Sequence, residues 1–232
     1  MSQHLPQAPL ADNSSADHSL ATIVPTLKLI TIANTQRQSV EQFIAAKFQQ
    51  VHHAQLNSFL PWLIAIIHHG NIVGAYGLRP GQHQPLFLEQ YLPSAIEQLV
   101  AENARRPVVR DSLIEIGNLA LAEHAFGPML MVTLASVLSA AGYEWMVFTA
   151  TEQVQRLMQR LGFEPYCLCP ADPQRLAGDS AIWGSYYRNN PRVMIGNLHR
   201  ACEVMYHDRR LSKIAATYER QTSAIAAAIR RK

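Results

Sequence analysis

The chain has 232 residues, 48% hydrophobic and 16% charged, which excludes a disordered or fibrous protein and allows one large domain with an appendage. Twenty basic against seventeen acidic residues leave a net charge of only +3, too weak a bias for a nucleic-acid binder. Three cysteines exclude a disulfide scaffold and suit a reducing compartment, so a cytoplasmic location is expected.

Residues 1–25 are rich in Pro, Ser, Asn and Asp and read as a disordered leader, with neither the basic start nor the apolar run of a secretion signal. LKLITI at 27–32 alternates as a strand does, and 35–53 follows a helical period with Val40, Phe43, Ile44 and Phe48 on one side. Two apolar runs flank Gly70-Asn71, which predicts a hairpin. LFLEQYL at 86–92 reads as a short strand, an extended piece or a turn, and Pro93 opens a helix over 94–104. SLIEIGNLAL at 112–121 is the next strand, with Gly117 marking a bulge or a close backbone approach. The uncharged stretch 125–143 is long enough to cross a bilayer. Its Gly, Pro, Ser and Thr residues and its one-sided bulk predict a buried amphipathic helix over 128–141 instead. EWMVFTA at 144–150 is a buried strand, and Thr151 caps a helix that Gly162 closes. A single basic amphipathic helix is predicted from about 198 to the end; residues 199–232 hold eight Lys/Arg and three Asp/Glu. Its apolar anchors suit covering the core or joining two subunits. The alternation predicts an α/β fold, a mixed sheet with helices on both faces.

Residues 112–163 resemble the centre of the GNAT acyltransferase fold: a strand, a glycine-containing turn at Gly127, a helix, a strand, then RLMQRLGF. FLPWL, GLRP, PLFLEQYL, EIGNLA, WMVFTAT and WGSYY, in order over 59–187, together resemble the thermostable hemolysin family. The resemblance implies a GNAT-like domain over 26–196, with the basic helix of 197–232 appended. It implies an acyl thioester as co-substrate, from acyl-CoA or an acyl-carrier protein, and a small amine such as an amino acid as acceptor. No permanently bound cofactor is expected. The family name and the uncharged stretch keep a membrane-active protein as an alternative, and a degenerate, binding-only acyltransferase fold is a third.

In the fold so implied, the strands 112–121 and 144–150 part, and a pantetheine arm lies in the gap. Leu119, Leu121, Thr149 and Thr151 would line it. Phosphates would sit on the amides of Phe126, Gly127, Met129 and Leu130, since unpaired N–H groups and the helix dipole favour an anion. The family's Gln/Arg-x-x-Gly-x-Gly/Ala pattern is eroded here: Ala122 and Ala125 take its first two fixed positions, and Pro128 brings no N–H. Such a turn suits the single phosphate of a carrier protein's prosthetic arm, whose acidic surface Arg156 and Arg160 would meet.

Glu115 is the first candidate general base, because burial raises a carboxyl pKa toward neutrality. It could equally pair with Arg79. Glu89 is the second carboxylate, costly in its apolar setting unless paired or used. Asn118 could orient substrate if a bulge brings it round. Arg79 could hold a substrate carboxylate bidentately. Tyr91, Trp183 and Tyr186 are further substrate candidates. The tyrosine acid of many acetyltransferases falls on Met158. Zinc is not expected: the pairs His52-His53 and His68-His69 should diverge, and no paired CxxC exists. Cys167 and Cys169 should share a strand face as apolar filler.

Overall fold

The computed structural model describes residues 24–82 and 85–230, so the leader expected over 1–25 falls almost wholly outside the described residues. The elements run β1 (Thr26–Ile30), α1 (Arg37–His52), β2 (Trp62–His68), β3 (Asn71–Pro80), α2 (Ile96–Ala104), β4 (Leu113–Leu121), α3 (Gly127–Ala140), β5 (Trp145–Ala150), α4 (Glu152–Arg160), β6 (Tyr166–Pro170), β7 (Arg192–Asn197), α5 (Leu198–His207) and α6 (Arg209–Arg230). All seven strands form one sheet in the order β1-β2-β3-β4-β5-β7-β6. Only β4 and β5 pair in parallel, and α3 is their crossover.

The strand period sorts the core. Ile64, Ile66, Tyr76, Leu78, Ile114 and Ile116 face α3, α5 and α6. On the opposite face, Leu63, Ala65, Ala75 and Ala120 pack on Val40 and Ile44 of α1. Farther along that face, Leu113, Trp145, Val147, Val193 and Ile195 pack on Ile96 and Val100 of α2. Between these two clusters the strand period puts Gly77, Arg79, Glu115 and Gly117 on the same face, and there the site forms.

Several elements depart from the expected ones. The hairpin turns at His69 and Gly70, both at positive φ as a two-residue turn of this hand requires, one residue earlier than the expected pair. That turn brings the His68 and His69 rings to 4.1 Å rather than sending them apart. Of the readings open for LFLEQYL the turn holds: Phe87–Tyr91 is a 3-10 turn, and the Glu89 carboxylate folds back onto the Leu86 N–H at 3.0 Å. Helix α3 is apolar nearly all round rather than amphipathic. Sheet packs on one side of it and α5 and α6 on the other, so this uncharged helix, which only together with the turn before it (His124–Ala141) is long enough to span a bilayer, is a core helix.

The expected single C-terminal helix is two. Asp208 accepts the N–H groups of Arg210 (2.7 Å) and Leu211 (3.1 Å), capping α6 and ending α5. Met205, Leu211, Tyr218, Ile225 and Ile229 are buried, so the tail covers the core. Gln221 of α6 accepts the Leu27 N–H (2.7 Å) and so covers the edge of β1. Strand β6 carries Cys167 and Cys169, as expected, but not on one face. A register shift between Cys167 and Cys169 puts them against opposite cores instead of on one face.

Gly77 and Gly117 are paired across β3 and β4, and Leu60 lies over both. A Cβ at Gly77 would sit 2.9 Å from Asn118 Oδ1 and 2.9 Å from Leu60 Cβ. Gly77→Ala should therefore cost roughly 1–3 kcal/mol, read as a lower urea midpoint. Gly178→Ala, with nothing within 4 Å of the new carbon, should leave the midpoint in place. Equal midpoints for both variants would contradict this packing.

Candidate active site

Strands β4 and β5 pair from Leu113↔Trp145 to Ile116↔Phe148 and no farther, although β4 runs on to Leu121 and β5 to Ala150. The cause lies in β4. Its register against β3 jumps from Gly77↔Gly117 to Ala75↔Ala120, so Asn118 and Leu119 together oppose Tyr76. This is a bulge, and Asn118 takes a left-handed φ of 51° to make it. The bulge thus falls one residue after Gly117. The Asn118 side chain holds it in place, with Oδ1 accepting the Leu60 N–H at 2.8 Å and Nδ2 reaching Ser58 O at 3.5 Å. That commits the side chain to the 58–60 loop rather than to a substrate.

Beyond the bulge the sheet opens into a cleft of about 1690 Å³. Its floor includes Arg79, Glu115 and Gly117 to Ala122. One side is the end of α1, and the other is Phe148, Thr149 and the first turns of α4. The segment 176–189 crosses over it and is fastened at both ends. Ser185 donates its N–H to His52 O (2.7 Å) and Gln55 donates to Ile182 O (2.6 Å). On the far side Ala177 N–H meets Gln90 Oε1 (3.1 Å), and the hydroxyls of Tyr91 and Tyr187 share a 2.6 Å hydrogen bond.

The two carboxylates have opposite environments. Glu89 is saturated: Oε1 accepts Arg110 Nη1 (2.8 Å) and Ile96 N–H (3.2 Å), and Oε2 accepts Arg110 Nη2 (2.6 Å) and Leu86 N–H (3.0 Å). Burial alone would raise its pKa, but Arg110 and the two amides outweigh it and hold it below the usual glutamate range. With about four acceptor positions filled, Glu89 fits a structural carboxylate better than the expected base.

Glu115 is only 3% exposed, at the junction where β4 still pairs with β5. Oε1 accepts the Leu88 N–H (2.8 Å) and Oε2 the Phe87 N–H (3.0 Å), while Arg79 Nη1 stands 3.6 Å from Oε2. The two amides belong to the start of the 3-10 turn, where backbone N–H groups lack intrahelical partners. Burial lifts the Glu115 carboxyl above the usual glutamate range, against the pull of those amides and Arg79. About two acceptor positions stay open beside the cleft. A raised pKa and open lone pairs are what a general base needs.

Arg79 also donates to Pro85 O at 3.1 Å. Tyr91, Trp183 and Tyr186 line the cleft, as do Leu119, Leu121, Thr149 and Thr151. Thr151 occupies the N-cap position of α4, but its side chain makes no capping bond. The expected phosphate turn differs most. Met129 and Leu130 are buried in the core. Phe126 N–H is taken by Glu123 O, Gly127 N–H by His124 O, and a Cβ on Gly127 would meet Leu157 at 3.0 Å. Among the described residues, the amides of Glu123, His124 and Ala125 have no protein acceptor. A 3-10 turn at His124–Phe126 leads into α3 and shifts the free amides a few residues earlier. Met158, where the tyrosine of many acetyltransferases would fall, is buried in the core.

Sequence reasoning missed Arg110, the two amides over Glu115, and Phe48 and His52 at the cleft wall. The amides had a signal: Glu89 lies three residues after Leu86, within a segment flanked by Pro85 and Pro93, a spacing that suits a turn rather than a strand. For Arg110, 21 residues from Glu89, there was none.

The profile of the family described as "Thermostable hemolysin" matches residues 30–202. The chain belongs to that family. No curated protein matches the sequence. Among solved structures, the fold is similar to that of the AHL synthase LasI, at 11% identity and a TM-score of 0.51, over 75% of this chain and 90% of that one. It is similar to BjaI, a CoA-dependent acyl-homoserine lactone synthase solved with SAM and isopentyl-CoA, at 11% identity and 0.51, over 88% and 99%. It is also similar to FeeM, an N-acyl amino acid synthase from uncultured soil microbes, at 10% identity and 0.51, over 82% and 98%. The expected GNAT-like acyltransferase fold is thereby established for this chain.

Arg110 bridges Glu89 and Glu97, each at 2.6 Å, and its loss would strand a largely buried carboxylate. Arg110→Met should lower stability at pH 7 by roughly 1–3 kcal/mol. In the wild type the Glu89 contribution is complete above the ordinary glutamate pKa and is lost as pH falls through its depressed folded value. Urea melts across acid pH should therefore show the two proteins converging below about pH 4. A gap that stays constant with pH would contradict the assignment.

Proposed function

We propose that the chain is an N-acyltransferase that moves an acyl group from a thioester to a small amine. The observation that carries this is Glu115: a buried carboxylate with a raised pKa and open acceptor positions, set where β4 and β5 part. The acyltransferase names of LasI, BjaI and FeeM support the reading. The donor arm lies along the unpaired edge of β4 over 117–121, where free backbone groups can pair with its amides. Its phosphate meets the amides of Glu123 to Ala125.

Glu115 takes a proton from the acceptor's ammonium. The freed nitrogen lone pair attacks the thioester carbonyl carbon, forming a C–N bond. The C–S bond then breaks, and the thiolate leaves as a thiol with a proton from the new amide nitrogen. Both acyl-CoA and a carrier protein's phosphopantetheine arm present this thioester. Arg156, Arg160 and Arg188 at the rim of the cleft suit the acidic surface of a carrier.

Purified full-length protein, given acyl-CoA or acyl-carrier protein with a panel of amino acids, should release free thiol. Glu115→Gln should lower kcat by about a hundredfold or more. The wild-type rate should rise with pH through a pKa above the ordinary glutamate value, and the variant should lose that limb. Unchanged rates in Glu115→Gln would remove it from the mechanism. Met158 in place of the tyrosine of many acetyltransferases favours a second reading, a fold that binds thioesters without turning them over. Donor binding with no thiol release for any acceptor would support that second reading.

A further inference from the structure

The cleft has two chemically different sides. Leu119 and Phe148, beside the parted strands, belong to the apolar core under α3. Across Glu115, on the α1 and α2 face, the wall is made of rings. Phe87 lies 5.6 Å from Trp183, Trp183 5.4 Å from Tyr186, and Tyr186 5.3 Å from His52 and 6.2 Å from Phe48. All five line the cleft. The ring wall meets the charged pair directly, because the Phe87 N–H is one of the two donors to Glu115. Arg79 stands 3.6 Å from the same carboxylate oxygen that accepts the Phe87 N–H. Only its Nη1 is engaged, and Nε and Nη2 have no partner among the described residues.

From this juxtaposition we infer that the acceptor is an α-amino acid with an aromatic or large apolar side chain. Its carboxylate binds Arg79, its amine meets Glu115, and its side chain packs on the Phe87–Trp183–Tyr186 wall. Each part of such a ligand answers one feature. A guanidinium with two free donors matches a carboxylate in bidentate geometry. An acceptor-only carboxylate matches an ammonium. Tilted rings 5–6 Å apart offer edges and faces to another flat or bulky apolar group, as aromatic pairs prefer. The inference rests on the acyltransferase reading for the role of the ligand, but not for its binding.

Two measurements separate the two claims. Trp62 and Trp145 are buried in the cores, so Trp183 is the tryptophan at the cleft and reports binding by its fluorescence. Without donor, phenylalanine should bind roughly tenfold or more tightly than alanine. Phenethylamine, which lacks the carboxylate, should bind roughly tenfold more weakly than phenylalanine, and Arg79→Gln should erase that difference. With donor, Trp183→Leu should raise KM for phenylalanine severalfold and leave KM for alanine and for the donor in place. Equal affinity for phenylalanine and alanine would overturn the inference. So would a Trp183→Leu effect on acyl-chain preference alone, which would make the rings the donor's chain site. Tight, carboxylate-dependent phenylalanine binding without thiol release from any donor would sink the acyltransferase reading and leave the pocket standing.

Discussion

A parallel strand pair that stops hydrogen bonding halfway along its length governs this molecule. Strand β4 cannot follow β5 past Ile116 because Asn118 turns through a left-handed conformation and adds a residue to the strand. The Leu60 N–H holds the Asn118 amide, and Leu60 lies over the glycines of β3 and β4. The loop before β2, the bulge and the glycine pair thus form one unit. Its consequence is a gap in the sheet with unpaired backbone along one edge, the kind of edge that folded proteins usually cover. Here the gap is the floor of a cleft.

The same region shows how two glutamates can be assigned opposite work. Glu89 has two amides and a bidentate guanidinium, which satisfy it and depress its pKa. Glu115 has two amides and a longer ion pair, and burial wins. Two things differ: Glu115 is the more deeply buried, and its guanidinium stands at 3.6 Å where that of Glu89 stands at 2.6–2.8 Å. Buried charge is tolerated at Glu89 because it is paired. At Glu115 burial with incomplete pairing favours the neutral form more than usual and lifts the carboxyl above the usual glutamate range.

The sheet was legible in the sequence because 27–32 alternates as a half-buried strand does, while 62–68 is a continuous apolar run, the pattern of a strand buried on both faces. Glu115, Arg79 and Trp183 stood out as polar or aromatic residues in motifs, and the cleft does collect them. What remained hidden depends on distant partners. The 86–92 segment could be read as a strand or a turn, and it turns because Glu89 accepts the Leu86 N–H three residues back. Arg110 sits in an unremarkable loop and becomes visible only once α2 has packed. Cys167 and Cys169 are two apart and would share a face, but a register shift separates them. Asp208 ends one helix and starts another within a run whose apolar period continues almost unbroken.

The proposal that the parted strands receive a thioester arm is tested most directly by amide hydrogen exchange over residues 117–121. Those backbone groups have no β5 partner in the free protein. Adding acyl-CoA or acyl-carrier protein should slow exchange there while leaving 113–116, already paired with β5, unchanged. Equal exchange over 117–121 with and without a donor that demonstrably binds would place the thioester elsewhere and contradict the account.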